Sequence, residues 1–184
     1  MKPTISLTNS IIRRLNEDEI VPFFDCGDAD LNDFITNSAQ AYLKAKLAVT
    51  YVLIDRSSPY KVIAFCSLAN DRISLSDFES KTDFNRFRRF QHFPQSKRLK
   101  SYPAVKICRL GVDKEMKGRS AGTILLDFIK TYFTVDNKTG CRFLTVDAYA
   151  NAIPFYQKNG FVILNEDDKD DPTRLLFFDL NDVD

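Results

Sequence analysis

Apolar positions along the chain switch between a period of two and a period of about 3.6, and the switches predict alternating strands and helices. Positions 5–7 and 13–15 read as a first strand. Phe24-Asp25-Cys26-Gly27 is a turn, and Asp28 suits a helix N-cap. Leu31, Phe34, Ile35 and Ser38 then recur at helical spacing, to about Lys46 with one break. Residues 49–55 and 61–69 are β-rich runs separated by Arg56-Ser57-Ser58-Pro59-Tyr60, which supplies hairpin chemistry. Phe84, Phe87, Phe90 and Phe93 fall every third residue and predict a helix over 83–91, packed through its aromatic stripe and ended by Pro94.

Residues 103–112 read as a strand in which Val105 and Ile107 share one parity and Cys108, Leu110 and Val112 the other. Either both faces are buried or an extra residue resets the phase as a bulge does. Ile124, Leu125, Phe128, Ile129 and Tyr132 mark a helix, and 143–148 a strand with Leu144, Val146 and Ala148 on one face. A short helix over 151–158 stops at Asn159-Gly160, and 161–164 and 175–180 close the chain as strands. Strand, loop, helix, strand from 104 to 148 forms a βαβ unit, which requires a parallel pairing. The expected class is α/β with a mixed sheet.

The length of 184 residues predicts one domain over 1–184, with a basic, Phe-rich helical insertion at about 76–102. A net charge of +1 excludes a polyanion binder working through bulk charge, though not one with a local patch. Residues 81–100 hold seven Lys or Arg and one Asp, whereas 165–184 hold eight Asp or Glu and two basic residues. These are either interaction surfaces or solvated segments of opposite sign. No apolar run approaches the roughly 18 residues of a membrane span, and the N-terminus lacks the apolar stretch of a signal peptide. Cys26, Cys66, Cys108 and Cys141 are scattered singly beside one histidine, His92, so neither a metal site nor a Cys–His nucleophile is expected. The cysteines are expected to be reduced and mostly buried, in a cytoplasmic protein without membrane contact.

Two stretches carry candidate chemistry. Cys108-Arg109-Leu110-Gly111-Val112-Asp113 leads into Lys117-Gly118-Arg119-Ser120-Ala121-Gly122, a strand running into a small-residue loop at the start of a helix. Backbone N–H groups and the helix dipole there favour an anion, and Lys117 and Arg119 add charge for a phosphate. The same residues also suit a tight turn whose basic side chains face water. The spacing is neither that of a P-loop nor G-x-G-x-x-G. In the second stretch, from Val146 to Phe161, Asn151 is placed to cap a helix or bond a ligand, and Phe155 and Tyr156 are either core aromatics or site residues.

Together the two stretches resemble the GNAT superfamily of acyl-CoA-dependent N-acetyltransferases. Lys117–Gly122 matches its pyrophosphate motif, with Lys117 where Arg or Gln is usual and Ser120 where Gly is usual. Asn151 with Phe155-Tyr156-Gln157-Lys158-Asn159-Gly160-Phe161 matches its second motif. The resemblance implies a mixed, mostly antiparallel sheet with helices on both faces and a V-shaped splay between two central parallel strands. It implies acetyl-CoA as donor and no metal. Leu110, Gly111, Val112, Lys117, Gly118, Arg119, Ser120, Ala121, Gly122, Asn151 and Tyr156 would hold the donor. An N–H near Leu110 would face the developing oxyanion, and Tyr156 would protonate the CoA thiolate. Thiol and phenol pKa values of about 8.5 and 10 make that transfer only slightly mismatched.

Phe24-Asp25-Cys26-Gly27-Asp28-Ala29-Asp30-Leu31-Asn32-Asp33-Phe34-Ile35 is similar to the GNAT subgroup that includes toxins acetylating the α-amine of aminoacyl-tRNA. That likeness implies a ribbon-helix-helix antitoxin as partner, and a homodimer is expected. Arg86, Arg88, Arg89 and Arg109 are the candidate acceptor-binding residues, with Lys97, Arg98 and Lys100 extending the basic segment. Small-molecule or protein amines are the other acceptors. A GNAT-fold interaction module with weak or no CoA binding is a further alternative.

Overall fold

The computed structural model describes residues 9–91, 93, 99–135 and 139–183. The predicted strand at 5–7, and Pro94, Lys97 and Arg98, lie outside the described residues. Strand β1 is Ser10–Arg14, followed by α1 (Ala29–Asp33), a π-helical turn (Phe34–Ser38) and α2 (Ala39–Lys44). Next come β2 (Val49–Asp55), β3 (Ser58–Ser74), α3 (Lys81–Phe90) and β4 (Ser101–Val112). Helix α4 (Ala121–Thr134), β5 (Phe143–Tyr149), α5 (Ile153–Lys158), β6 (Val162–Ile163) and β7 (Thr173–Asp179) complete the order. The seven strands are hydrogen-bonded in the order β1-β2-β3-β4-β5-β7-β6. Strands β1–β2, β2–β3, β5–β7 and β6–β7 pair antiparallel, and β4–β5 pairs parallel, as the βαβ reading requires. The chain divides into two compact units, Met1–Ala69 with Ile107–Tyr132 and Asn70–Lys106 with Phe133–Asp184.

In the first unit, Asp28 caps α1 by accepting from the Leu31 N–H at 3.0 Å. The break expected along this helix is the π turn, in which the Ala39 N–H reaches back to the Phe34 carbonyl. The Thr36 hydroxyl donates to the Asn32 carbonyl at 2.8 Å, competing with the regular ladder there. The turn leaves Phe34 and Ile35 buried in a core with Phe24, Val52, Ile54 and Phe65. Phe65 meets Phe24 edge-on at 5.2 Å and stacks on Phe34 at 6.1 Å. The β2–β3 hairpin turns on Arg56 and Ser57, since Asp55 pairs with Ser58. It is shorter than the predicted 56–60 because the Asp55 carboxylate accepts from both the Ser57 N–H and its hydroxyl, at 2.8 and 2.7 Å.

In the second unit, Ser80 caps α3, and Phe84 and Phe87 enter a core with Ile73, Phe78, Tyr102, Phe143 and Phe177. The aromatic stripe does not stay inside: Phe90 is 76% exposed. A three-residue step falls about 60° short of a full helical turn, so by the third Phe the stripe has rotated off the core. Phe93, beyond the helix, stacks on Tyr102 at 3.8 Å. Adjacent Ala104 and Val105 on β4 are both buried, so at this point both faces of the strand are covered. The acidic segment is used internally as well: Asp168 accepts from Arg174 at 2.6 Å, and Asp167 from the Glu79 N–H at 2.7 Å.

Helix α5 stops as Asn159-Gly160 predicts. The Gly160 N–H donates to the Gln157 carbonyl and the Phe161 N–H to the Tyr156 carbonyl, both at 3.0 Å. This double bond pattern needs a left-handed residue, and Gly160 has φ +83°. A Cβ at Gly160 would stand 3.0 Å from the Phe178 ring. Gly160→Ala is therefore expected to cost about 1–2 kcal/mol, a fall of roughly 2–8 °C in Tm. Gly160→Asn relieves only the left-handed part of that cost, since its Cβ meets the same ring, so it should still melt below wild type. Thermal melts of the two variants check both values.

Candidate active site

The candidate anion loop belongs to the first unit and begins where β4 ends. The Asp113 N–H donates to the Ile63 carbonyl at 2.9 Å, and buried Asp113 accepts from the Glu115 N–H at 2.9 Å. A single 3₁₀ turn, Lys114–Met116, follows, with Met116 1% exposed as its anchor. A second tie comes from far upstream. The Lys114 N–H donates to the Asp25 carbonyl at 2.8 Å, and the Lys114 ammonium bonds the Asp25 carboxylate. Lys114 first, then the Gly27 N–H, hold the Asp25 carboxyl below the usual carboxylate range. The turn at 25–27 thus anchors the loop entrance.

From that anchor the chain runs through Lys117, Gly118, Arg119 and Ser120, all exposed, into buried Ala121 and Gly122. Gly118 has φ +77° and Ser120 φ +62°. Positive φ at alternate residues is the feature that turns successive N–H groups toward one side, where they make an anion concavity. The Ser120 carbonyl accepts from the Ile124 N–H at 2.9 Å, so α4 starts from Ser120. The first N–H groups of this 14-residue helix have no acceptor within the helix. A Cβ at Gly118 would meet nothing within 4 Å, which leaves open space over the loop. Holding Ser120 left-handed costs about 1 kcal/mol, since its Cβ crowds the carbonyl there. Exposed donors, two cationic side chains and open space fit a phosphate anion such as the diphosphate of a coenzyme.

On β4, Leu110 and Val112 are half-buried and Gly111 is buried. Gly111 is required by packing, because a Cβ there would lie 2.7 Å from the Phe65 ring and 3.3 Å from Phe24. Arg109 lies with its guanidinium 4.0 Å over the Phe34 ring. Cys26 and Cys66 are buried, Cys141 is partly so, and Cys108 is exposed, against the expectation that the cysteines are mostly hidden. Cys108 surfaces because it has the opposite parity to buried Ile107 on the strand. Burial pushes the Cys66 thiol up to about 12, leaving it inert as a nucleophile.

The second unit holds the other candidates. The β4–β5 ladder runs from Ala104–Phe143 to Lys106–Thr145. At its end the Lys106 ammonium pairs with Asp147, and Thr145 donates to Asp71 at 2.5 Å. Tyr156, on α5, is 6% exposed, with its ring edge-on to Phe155 at 5.1 Å and Phe161 at 5.4 Å. Asn151 is exposed and does not cap α5, whose N-cap is Ala152 with no side-chain bond. Pro154 lies within the first turn, where its missing N–H costs nothing, so the helix begins later than the predicted 151. Of the basic segment, Arg88 is engaged internally, donating to the Tyr102 hydroxyl and to Asn85, each at 3.1 Å. Arg86 and Arg89 are exposed, Arg86 within 3.3 Å of Asp83.

Sequence reasoning missed the Asp25–Lys114 anchor and the Thr145–Asp71 bond, which join residues 89 and 74 positions apart. No local signal could have found them. No described helix is long and apolar enough to cross a membrane.

Residues 96–176 match the family model of the acetyltransferase (GNAT) domain. The structure is similar to that of a bacterial toxin, with TM-score 0.74 and 21% identity over 94% of this chain and 91% of that one. It is similar to AtaTR bound with AcCoA, with TM-score 0.72 and 23% identity over 95% of each chain. AtaT complexed with acetyl-methionyl-tRNAfMet matches with TM-score 0.73 and 22% identity, over 95% of this chain and 96% of that one. Residues 96–176 thus carry the match to an acetyltransferase (GNAT) domain, within the fold that these solved structures share, a mixed seven-stranded sheet with a parallel β4–β5 pair.

Proposed function

We propose that this protein transfers the acetyl group of acetyl-CoA to the α-amine of an aminoacyl-tRNA, as the toxin of a toxin–antitoxin pair. For the donor, the supporting observation is the loop after β4, with φ +77° at Gly118 and +62° at Ser120. Lys117, Gly118, Arg119, Ser120, Ala121 and Gly122 hold the diphosphate through main-chain N–H groups and two cationic side chains. Main-chain groups of Leu110, Gly111 and Val112 pair with the amides of the donor's pantetheine arm, as an added strand would. Asn151, exposed and free of a capping role, is a further donor contact. For the acceptor, support comes from the full-length likeness to AtaT, which has been seen with acetyl-methionyl-tRNAfMet and with the antitoxin AtaR. A ribbon-helix-helix antitoxin is the corresponding partner.

Acetyl-CoA supplies an activated thioester. The acceptor nitrogen forms a bond to its acyl carbon, the carbon–sulfur bond breaks, and the nitrogen sheds one proton as the amide forms. The Leu110 N–H faces the charge that develops on the acyl oxygen. Tyr156 gives its phenolic proton to the departing sulfur, and the proton released by nitrogen restores the phenol. The ring is held edge-on between Phe155 and Phe161, which fixes its orientation. On the acceptor side, Arg86 and Arg89 contact tRNA phosphates, whereas Arg88 holds α3 to Tyr102.

Tyr156→Phe is expected to lower kcat by about 10²–10⁴-fold with acetyl-CoA affinity near normal. Steady-state kinetics and calorimetry check this, and unchanged turnover removes Tyr156 from the reaction. Reversing Arg86 and Arg89 to Glu should raise KM for charged tRNA by about tenfold or more and flatten its salt dependence. Arg88→Glu should instead lower Tm. Acetylation assays over a salt series, beside thermal melts, separate the two roles.

A further inference from the structure

The first unit contains a polar cavity of about 250 Å³ that the reading above does not use. It is lined by Asp30, Asp33, Phe34, Ser38, Tyr42 and Arg109, on α1, the π turn, α2 and β4. The Arg109 guanidinium is 4.0 Å from the Phe34 ring centre and 5.4 Å from that of Tyr42. Among the described residues it has no hydrogen bond and no ion pair. Three other partly buried arginines pair with carboxylates: Arg13 with Glu19, Arg142 with Asp179 and Arg174 with Asp168. Arg109 has two carboxylates in its own cavity and pairs with neither. Asp33 accepts from Asn37 at 2.7 Å, and Asp30 is exposed.

A cation and two carboxylates held apart in one cavity complement a ligand that carries both polarities a few bonds apart. A purely anionic ligand would leave the two aspartates facing it, and a purely cationic one would face Arg109. The guanidinium is fixed by stacking, so little ordering cost remains when its planar fork meets an oxygen acceptor. Arg109 also immediately precedes Leu110, Gly111 and Val112, the strand edge assigned to the donor's arm.

We propose that this cavity takes the aminoacyl group of the acceptor. Arg109 donates to the carbonyl oxygen of its ester, and Asp30 and Asp33 receive its α-ammonium group on arrival. This rests on the aminoacyl-tRNA reading and makes Arg109 a specificity-determining residue within it. An amine with no neighbouring carbonyl leaves the guanidinium unpaired in the filled cavity, which disfavours simple amines.

The test uses the full chain with methionyl-tRNA as acceptor and uncharged tRNA as a binding probe. Arg109→Gln is expected to raise KM for methionyl-tRNA about 10–100-fold, the scale of a lost hydrogen bond to a charged group. Its affinities for acetyl-CoA and for uncharged tRNA should stay within about twofold of wild type. The double variant Asp30→Asn, Asp33→Asn alters exposed side chains, so it keeps the fold, and it should raise the same KM about tenfold. An unchanged KM in both variants overturns the proposal. So does an equal loss of affinity for uncharged tRNA in Arg109→Gln, which would place a phosphate on Arg109. Wild-type protein that acetylates no aminoacyl-tRNA overturns the acceptor reading itself, and with it the cavity's occupant.

Discussion

A turn of four exposed residues, held left-handed at Gly118 and Ser120, carries the chain from β4 into α4. A chain that must leave a strand and enter a helix this quickly has few conformations that avoid steric conflict. The one adopted exposes main-chain donors at a helix start, where the peptide dipoles already favour negative charge. Ser120 bears a steric cost that Gly118 does not, and the surrounding packing sustains it. Met116 is buried beneath the turn, Asp113 caps it, and Lys114 is tied to Asp25 by both main chain and side chain. The turn at 25–27 thereby supports a loop some ninety positions later in the chain.

Elements with a strong periodic signal were legible. Strand β2, helix α4 and strand β5 lie where alternation or helical spacing predicts them, and Asn159-Gly160 ends α5 by the expected bond pattern. Legibility failed where a local pattern competes with packing. Phe90 follows the three-residue spacing of its neighbours yet faces solvent, because that spacing drifts around a helix. Asn151 is a good capping residue, but Pro154 moves the helix start past it. The missing side chain of Gly111 makes room for Phe65, a packing need that no local pattern announces. Such partners are distant in sequence, and no spacing rule reaches them.

The arginines show the same division between structure and chemistry. Arg88 and Arg109 are both near aromatic rings, but Arg88 also bonds Tyr102 and Asn85. Among the described residues Arg109 makes no such bond. Net charge says little here, because Asp167 and Asp168 of the acidic segment accept bonds from Glu79, Arg174 and Leu175. Function depends on which charged groups the fold leaves unspent.

The most direct measurement is a backbone amide NMR titration of the isotope-labelled protein with acetyl-CoA. The amides of residues 117–122, together with those of Leu110 and Val112, should shift in saturable fashion and gain protection from solvent exchange. Saturable binding that moves other amides while this set stays in place would contradict the anion-loop account, and so would no binding at all.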